Sequence, residues 1–370
     1  MQEIKSLTSL RGLAAMAVVM QHFSATAQEH SITTIPSLIP HGYVAVDFFF
    51  VLSGFIMSYT YLSSFLRDKQ RAFPSFLIKR VARLVPLNTF VIFLLLCIGP
   101  LSEIIFNKNI LFTSDNLIFD AAANLLMLQG IGIGNNLNDP SWSVSTEFAV
   151  YFTFPICTLC VFHKKRIFST FSIIISLSIL LYVASRHPHL GLNSEDPVFG
   201  VLRCFSEFVL GMCAYRLYTN RSSSWRICQD PALVTLFVFC AAFLVLRIDL
   251  VAALFFPIIV VATALNVGRI KKILSSRIPY FLGMISYSIY LIHNPFRPIE
   301  LEFLRIFHPA PLDTGAALTF AFLGSLSIVP FAWLTYRYIE SPSRSLLRQM
   351  LQSRRQERAV APVPNSNDIK

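Results

Sequence analysis

The sequence predicts an all-α polytopic membrane protein, a bundle of about ten transmembrane helices with both termini in the cytoplasm. Three observations support this fold class. Of the 370 residues, 54% are hydrophobic and only 14% are charged, whereas about a quarter of the residues in a soluble domain are charged. Apolar residues recur in blocks of about 20, the length that a helix needs to cross a bilayer. Basic residues cluster in alternate connecting segments, as the positive-inside rule describes.

The apolar blocks define the predicted spans and the domain organisation. Ten spans are predicted at 8–26, 43–65, 84–101, 141–162, 167–185, 198–215, 231–246, 250–267, 279–296 and 314–336. Segment 117–131 is apolar but shorter, and we interpret it as an interfacial or re-entrant piece. No small-residue cleavage pattern follows the first block, which we therefore interpret as a retained span. We expect one membrane-embedded domain over 1–345 and a basic, flexible cytoplasmic tail over 346–370.

The basic residues predict the orientation of the helices. With the N-terminus inside, the inside segments hold 24 of the 31 lysines and arginines, and the outside segments hold five. This bias supports ten crossings and a multi-pass location in the cytoplasmic (inner) membrane. It also explains the net charge of +11 better than nucleic-acid binding would. The isolated C-x-x-C of Cys157 and Cys160 has no second ligand pair nearby, so we predict no metal site.

The first span carries two ionisable residues, Arg11 and His22. Eleven residues come to about three full helical turns, so both side chains lie on one face, about 16 Å apart along the axis. In the predicted orientation, Arg11 is near the cytoplasmic surface and His22 is near the outer surface. Ionisable groups inside a membrane are costly and commonly mark a functional site. A hydrogen-bonded packing histidine is the alternative for His22.

Other polar residues are predicted at the depth of His22, in the outer halves of four further spans: Asp47, Glu147, Arg203 and His293. A carboxylate that accepts a hydrogen bond from one ring nitrogen of a histidine leaves the other nitrogen as a general base. We therefore expect Asp47 or Glu147 to orient His22. Alternatively, the two carboxylates pair with Arg203 or occupy helix N-termini, where the dipole favours them. A structural ion pair explains Arg203 as well as catalysis does.

Several residues near this outer layer are candidates for supporting the site. Ser143 and Glu147 are four residues apart and share a helix face. Tyr290 and His293 follow one stripe of the ninth span, where an interfacial polar belt is the alternative. Trp142 is expected to be a packing or interfacial anchor rather than a catalytic group.

On the cytoplasmic side, Arg80 and Arg83 precede the third span and join Arg11 in a second polar layer. Clustered guanidinium groups suit bidentate phosphate binding. Alternatively, these arginines are ordinary positive-inside anchors. A phosphorylated donor in the cytoplasm and an acceptor on the outer side would fit the two layers.

The chain resembles the membrane-bound acyltransferase family 3 over nearly its whole length. The resemblance is carried by Arg11 and His22 with ten residues between them, GYVAVDFFFVLSGF at 42–55, RVAR at 80–83 followed by Pro86, Trp142-Ser143 with Glu147, SYSIYLIH at 286–293 and IESP at 339–342. It implies transfer of an acyl group, usually acetyl from acetyl-coenzyme A, to a hydroxyl of a carbohydrate or another extracytoplasmic acceptor. The resemblance also implies that the Arg11–His22 pair is essential for activity, and it implies no metal cofactor.

These observations lead to one hypothesis and one rival. Acetyl-coenzyme A, or another acyl-coenzyme A, docks from the cytoplasm with its phosphates on Arg80, Arg83 and Arg11. His22 then deprotonates the hydroxyl of a carbohydrate or glycoconjugate acceptor for attack on the thioester. Direct transfer and a covalent acyl-histidine relay both remain open. The rival is a transporter or flippase for lipid-linked sugars or other surface-polymer precursors, because intramembrane ionisable residues also build proton relays.

Overall fold

The computed structural model is helical and describes residues 2–31, 34, 40–111, 114, 116–187, 191–192, 196–221, 225–308, 310–346 and 349. Within these ranges there is no strand, and the single β-bridge joins Ser31 to Leu312. The helices, numbered in chain order, are α1 Lys5–Gln28, α2 Ala45–Arg67, α3 Lys69–Phe106, α4 Leu117–Leu125, α5 Ser141–Val150, α6 Phe154–Val161, α7 Arg166–Ser185, α8 Pro197–Thr219, α9 Asp230–Val245, α10 Asp249–Leu265, α11 Arg269–Leu274, α12 Arg277–Met284, α13 Ser286–Phe307 and α14 Thr314–Thr335. The all-helical fold class is therefore confirmed for the described part of the chain. The predicted tail at 346–370 lies almost entirely outside the described residues.

Six helical segments of the described chain are long and apolar enough to cross a membrane: His41–Arg67, Lys69–Phe106, Ser141–Val161, Arg166–Ser185, Pro197–Thr219 and Thr314–Leu346. Two more predicted spans appear as shorter apolar helices, α9 with 16 residues and α10 with 17. These segments are those of a multi-pass membrane protein. The count of ten spans and the orientation of the termini stay predictions.

Two predicted spans do not coincide with single helices. The third, 84–101, is part of a longer helix, because α3 runs unbroken from Lys69, where the Asp68 side chain caps the backbone N–H of Arg71 at 3.2 Å. The ninth, 279–296, is not one helix, because it is interrupted at Ile285 between α12 and α13. Segment 117–131 is confirmed as a short element, with α4 followed by a 3-10 turn over Gln129–Ile131.

Glycines allow α1 and α2 to approach their neighbours closely. Gly12 of α1 lies against the backbone of Gly283 in α12, and a Cβ on Gly283 would overlap the carbonyl of Thr8. Gly54 of α2 and Gly211 of α8 likewise leave no room for a Cβ against the partner backbone. Close backbone approach at small residues is characteristic of helix packing in membranes. As a result α1 is held between α12, α13 and α14, and α2 packs along α8.

Candidate active site

Arg11 is held at the break between α12 and α13. Its Nε donates to the Ser286 hydroxyl and one terminal nitrogen donates to the Gly283 carbonyl, both at 2.8 Å. The Ser286 hydroxyl also donates to the Gly283 carbonyl, at 2.9 Å. This carbonyl is therefore satisfied by side chains, which stabilises the interruption of the helix. The break between α12 and α13 therefore holds the Arg11 guanidinium in one position.

His22 contacts a second histidine at the other end of α1. Nδ1 of His22 and Nε2 of His293 are 3.0 Å apart, while Nδ1 of His293 is 3.3 Å from the Ile289 carbonyl. Because a carbonyl only accepts, Nδ1 of His293 carries the hydrogen and the neutral Nε2 is an acceptor. His22 then donates from Nδ1, and its own Nε2 is unprotonated. Nε2 has no hydrogen-bond partner among the described residues, so it is suited to act as a base.

Asp139 and Arg297 flank the histidine pair. The Asp139 carboxylate is 4.0 Å from Nδ1 of His22 and 3.8 Å from a terminal nitrogen of Arg297. Asp139 is 62% exposed, in contrast to the buried His293. Arg297 also donates to the Thr26 hydroxyl, at 3.1 Å, one turn beyond His22 on α1. This carboxylate stabilises an imidazolium on His22 if the ring gains a proton.

Asp47 forms an ion pair with Arg203 and does not orient His22. Both carboxylate oxygens of Asp47 accept from Arg203, one of them at 2.7 Å, and the two side chains are 0% and 2% exposed. Arg203 also donates to the Leu192 carbonyl at 2.7 Å. The buried Glu207 lies beside this pair, next to Asp47. The expected orienting role for Asp47 is therefore wrong, and the alternative of pairing with Arg203 is confirmed.

Glu147 is also bound elsewhere. Its Oε1 accepts from the Tyr151 hydroxyl at 2.5 Å, and the same hydroxyl is 3.3 Å from Ser53. Sequence reasoning placed Glu147 at the depth of His22 but had no information on how each helix is rotated about its axis. The orienting residue that the structure supplies is His293.

Arg80 lies inside the bundle rather than at its surface. It is 8% exposed, and it donates to the Tyr61 hydroxyl at 2.9 Å with its guanidinium over the Tyr61 ring. Its Nε is buried with no hydrogen-bond partner in the described part of the chain. A buried guanidinium N–H without a partner is costly, so an anionic ligand at this position would be favoured. An ordinary surface anchor would not be buried in this way.

One cavity of about 100 Å³ brings several of the predicted residues together. It is lined by Arg11, Phe49, Phe50, Leu52, Ser53, Ile56, Met57, Arg80, Arg83, Leu84, Ser143, Val144, Glu147, Tyr151, Ser286, Tyr287 and Tyr290. Three arginines and one carboxylate give it a positive charge. The predicted cluster of Arg11, Arg80 and Arg83 is therefore present as one surface, and guanidinium groups so arranged suit phosphate oxygens.

One residue of the cavity lining, Tyr290, also adjoins the histidine pair. The Ser143 and Tyr290 hydroxyls are 2.8 Å apart, and the Tyr290 ring centroid is 6.2 Å from that of His293. Trp142 lies outside the described cavity lining, where it packs edge-on against Phe50 and under the Arg203 guanidinium. Its expected role as a packing residue is consistent with these contacts.

Sequence reasoning missed four residues of this region: Tyr61, Asp139, Tyr151 and Arg297. Asp139 and Arg297 carried a signal, since each is a charged residue next to a motif residue, Trp142 or His293. Tyr61 and Tyr151 carried none, because a tyrosine in an apolar helix is ordinary. The structure divides the predicted outer layer into the His22–His293 pair, the Asp47–Arg203 pair and Glu147 within the cavity.

The family model and the relatives that match this chain all carry acyltransferase names. The model of a family described as "Acyltransferase domain" matches residues 4–337. A Staphylococcus aureus (strain COL) protein named "Putative O-acetyltransferase" is 24% identical over 93% of this chain, which spans 58% of that relative's length. An acyltransferase of Streptomyces mycarofaciens, MdmB, is 28% identical over 99% of this chain and 96% of its own. The peptidoglycan O-acetyltransferase OatA of Listeria monocytogenes is 24% identical over 92% of this chain and 56% of its own. No solved structure gives a significant match.

Proposed function

The chain belongs to the acyltransferase 3 family, and we propose that it transfers an acyl group, acetyl in the first instance, from acyl-coenzyme A to a hydroxyl of a carbohydrate or glycoconjugate. The proposal rests on the arginine-lined cavity, whose lining residue Tyr290 adjoins His293, the partner of a histidine with an unprotonated Nε2. Two relatives are named as O-acetyltransferases, which supports a hydroxyl as the acceptor group. The acceptor's identity is proposed only as this chemical class.

His22 acts as the general base in the proposed reaction. Its Nε2 removes the proton from the acceptor hydroxyl, and the hydroxyl oxygen attacks the thioester carbonyl carbon. The carbon–sulfur bond then breaks, and the proton on His22 goes to the leaving thiolate. His293 fixes the reactive tautomer of His22, and Asp139 stabilises the transient imidazolium. General-base catalysis of this kind contributes about 10²- to 10⁴-fold to a rate.

Arg11, Arg80 and Arg83 bind the phosphates of the donor in this proposal. Each hydrogen bond to a charged group contributes about 1.5–3 kcal/mol, and the buried Nε of Arg80 gains the partner that it lacks. The donor enters from the Arg11 end of the cavity and its thioester reaches the Tyr290 end. Acyl-coenzyme A carries its pyrophosphate and its thioester at opposite ends, so the pyrophosphate would lie at the Arg11 end and the thioester at the Tyr290 end.

The proposed topology completes this scheme. We place both termini in the cytoplasm and ten spans in the cytoplasmic (inner) membrane, so that the Arg11 end of α1 faces the cytoplasm and the His22 end faces the outer side. The alternation of basic residues along the chain supports this orientation. Donor and acceptor then approach the site from opposite sides, and the membrane domain extends over 1–345.

A reconstituted assay tests the proposal. The full chain in lipid vesicles is given acetyl-coenzyme A and a soluble carbohydrate acceptor, and release of free coenzyme A is followed together with acetylation of the acceptor. We expect wild type and the control His163→Ala to transfer acetyl groups and His22→Ala to lose at least about 100-fold in rate. His163 is a suitable control because its contacts are local, with the Lys165 backbone and the Phe168 ring.

Two results would contradict the proposal. Full transfer by a correctly inserted His22→Ala variant would exclude His22 as the base. Movement of a lipid-linked sugar across the vesicle membrane without consumption of acetyl-coenzyme A would instead indicate the transporter or flippase.

A further inference from the structure

Tyr290 is the residue of the cavity lining whose ring adjoins the histidine pair. Along α13, Ser286 contacts Arg11, Tyr290 lines the cavity one turn later, and His293 contacts His22. The cavity lining in the described chain includes Tyr290 but neither histidine. Tyr290 therefore lies between the arginine-lined space and the proposed base.

The hydrogen of the Tyr290 hydroxyl is available to a ligand. The Ser143 hydroxyl is 3.1 Å from the Pro140 carbonyl, which only accepts, so the Ser143 hydrogen is directed there. In the 2.8 Å contact between Ser143 and Tyr290, Tyr290 is consequently the donor and Ser143 the acceptor. Because a serine hydroxyl is a neutral acceptor, an oxygen that develops negative charge would compete successfully for the Tyr290 hydrogen.

Tyr290 lies in a buried part of the structure. Phe49 packs edge-on against the Tyr290 ring, with centroids 5.6 Å apart. Tyr290 and Ser143 are themselves 6% and 5% exposed. In such a site of low dielectric constant, a fixed hydrogen-bond donor stabilises a developing charge more strongly than it would in water.

We infer that Tyr290 is a further catalytic residue, which donates its hydroxyl hydrogen bond to the carbonyl oxygen of the donor thioester and stabilises the oxyanion. The inference rests on the proposed acyl transfer. When the acceptor oxygen bonds to the carbonyl carbon, the π electron pair moves onto the carbonyl oxygen, and Tyr290 donates to it without giving up its proton. When the carbon–sulfur bond breaks, the pair returns to form the carbonyl of the ester. The leaving sulfur takes the proton that His22 removed from the acceptor.

Two matched variants separate this role from a structural one. Tyr290→Phe keeps the ring and its contact with Phe49 but lacks the hydrogen, whereas Ser143→Ala removes the resting acceptor of that hydrogen together with the Ser143–Pro140 hydrogen bond. Loss of one oxyanion donor reduces kcat by about 10²- to 10³-fold, so this is the expected loss for Tyr290→Phe, with an unchanged KM for acetyl-coenzyme A. Ser143→Ala should reduce kcat by less than about tenfold, because an ordinary hydrogen bond contributes about 1 kcal/mol.

The vesicle assay with acetyl-coenzyme A and a soluble carbohydrate gives kcat and KM for both variants, and size-exclusion chromatography verifies their folding. Equal losses of kcat in the two variants would show that the Ser143–Tyr290 bond is only structural and would overturn the inference. A Tyr290→Phe variant with wild-type kcat would overturn it as well, while leaving acyl transfer intact. If wild type itself consumed no acetyl-coenzyme A, the proposed function would fail first, so the two failures are distinguishable.

Discussion

Removal of one partner of the buried Asp47–Arg203 pair should strongly destabilise the bundle. Both carboxylate oxygens of Asp47 are bound by the guanidinium, and both side chains are almost fully buried. Asp47→Asn preserves shape but removes the carboxylate that binds Arg203 through both oxygens, and the neighbouring Glu207 makes no hydrogen bond that could replace it. Breaking a buried ion pair by removing one partner costs about 3–5 kcal/mol, and we expect a loss of stability of this size.

The assay is thermal unfolding of the purified protein in detergent, followed by the amount of monodisperse protein that survives heating. Asp139→Asn serves as a control, because Asp139 is 62% exposed and exposed pairs contribute only about 0–1 kcal/mol. The double variant Asp47→Leu/Arg203→Leu should recover much of the lost stability, since the guanidinium is removed together with its partner and the buried Glu207 is left as a neutral carboxylic acid. An Asp47→Asn variant as stable as wild type, or a double variant less stable than the single one, would refute this reasoning.

Three further predictions follow from the contacts. Arg80→Lys should raise the KM for acetyl-coenzyme A about 10- to 100-fold, measured by coenzyme A release. Arg71→Ala, on the exposed face of α3, is the control and should leave this KM unchanged. An Arg80→Lys variant with the same KM as Arg71→Ala would exclude Arg80 from donor binding. Gly283→Ala should lower thermal stability and transfer rate, because its Cβ would overlap the Thr8 backbone. Gly315→Ala is the control, since a Cβ there has room. A Gly283→Ala variant as stable and as active as Gly315→Ala would contradict the close packing of α12 against α1. The Asp120 carboxylate accepts hydrogen bonds from the Ser114 hydroxyl and the Asn135 amides, which lower its pKa. Its stabilising effect is therefore present above its unfolded pKa of about 4 and is lost as pH falls through the lower folded value. The melting temperature of Asp120→Asn should lie below that of wild type at pH 7, and the difference should shrink below pH 4; a difference that is constant with pH would contradict this prediction.

Helical periodicity predicted the arrangement of α1 well. The spacing of Arg11 and His22 places them on one face, and in the structure both side chains contact the same partner, α13, through Ser286 and His293. Composition predicted an all-helical, multi-pass protein, because blocks of apolar residues report directly on membrane spans. These features depend on local sequence alone.

Features that depend on the rotation of helices and on contacts between distant segments were not predictable. Depth in the membrane placed Asp47 and Glu147 near His22, but their rotation about the helix axes directs them to Arg203 and Tyr151 instead. The break at Ile285 depends on the approach of α12 to α1 and on side-chain donors to one carbonyl. An apolar segment without a proline at the break gives no local sign of either.

The central claim, acyl transfer that depends on His22, is tested most directly in cells. Surface glycans are analysed by mass spectrometry from cells that lack the gene and carry either the wild-type chain or His22→Ala, with equal membrane levels of the two proteins. We expect wild type to restore an acetyl or other acyl mass on the glycans and His22→Ala to restore none. Restoration of the same acyl mass by His22→Ala would contradict it.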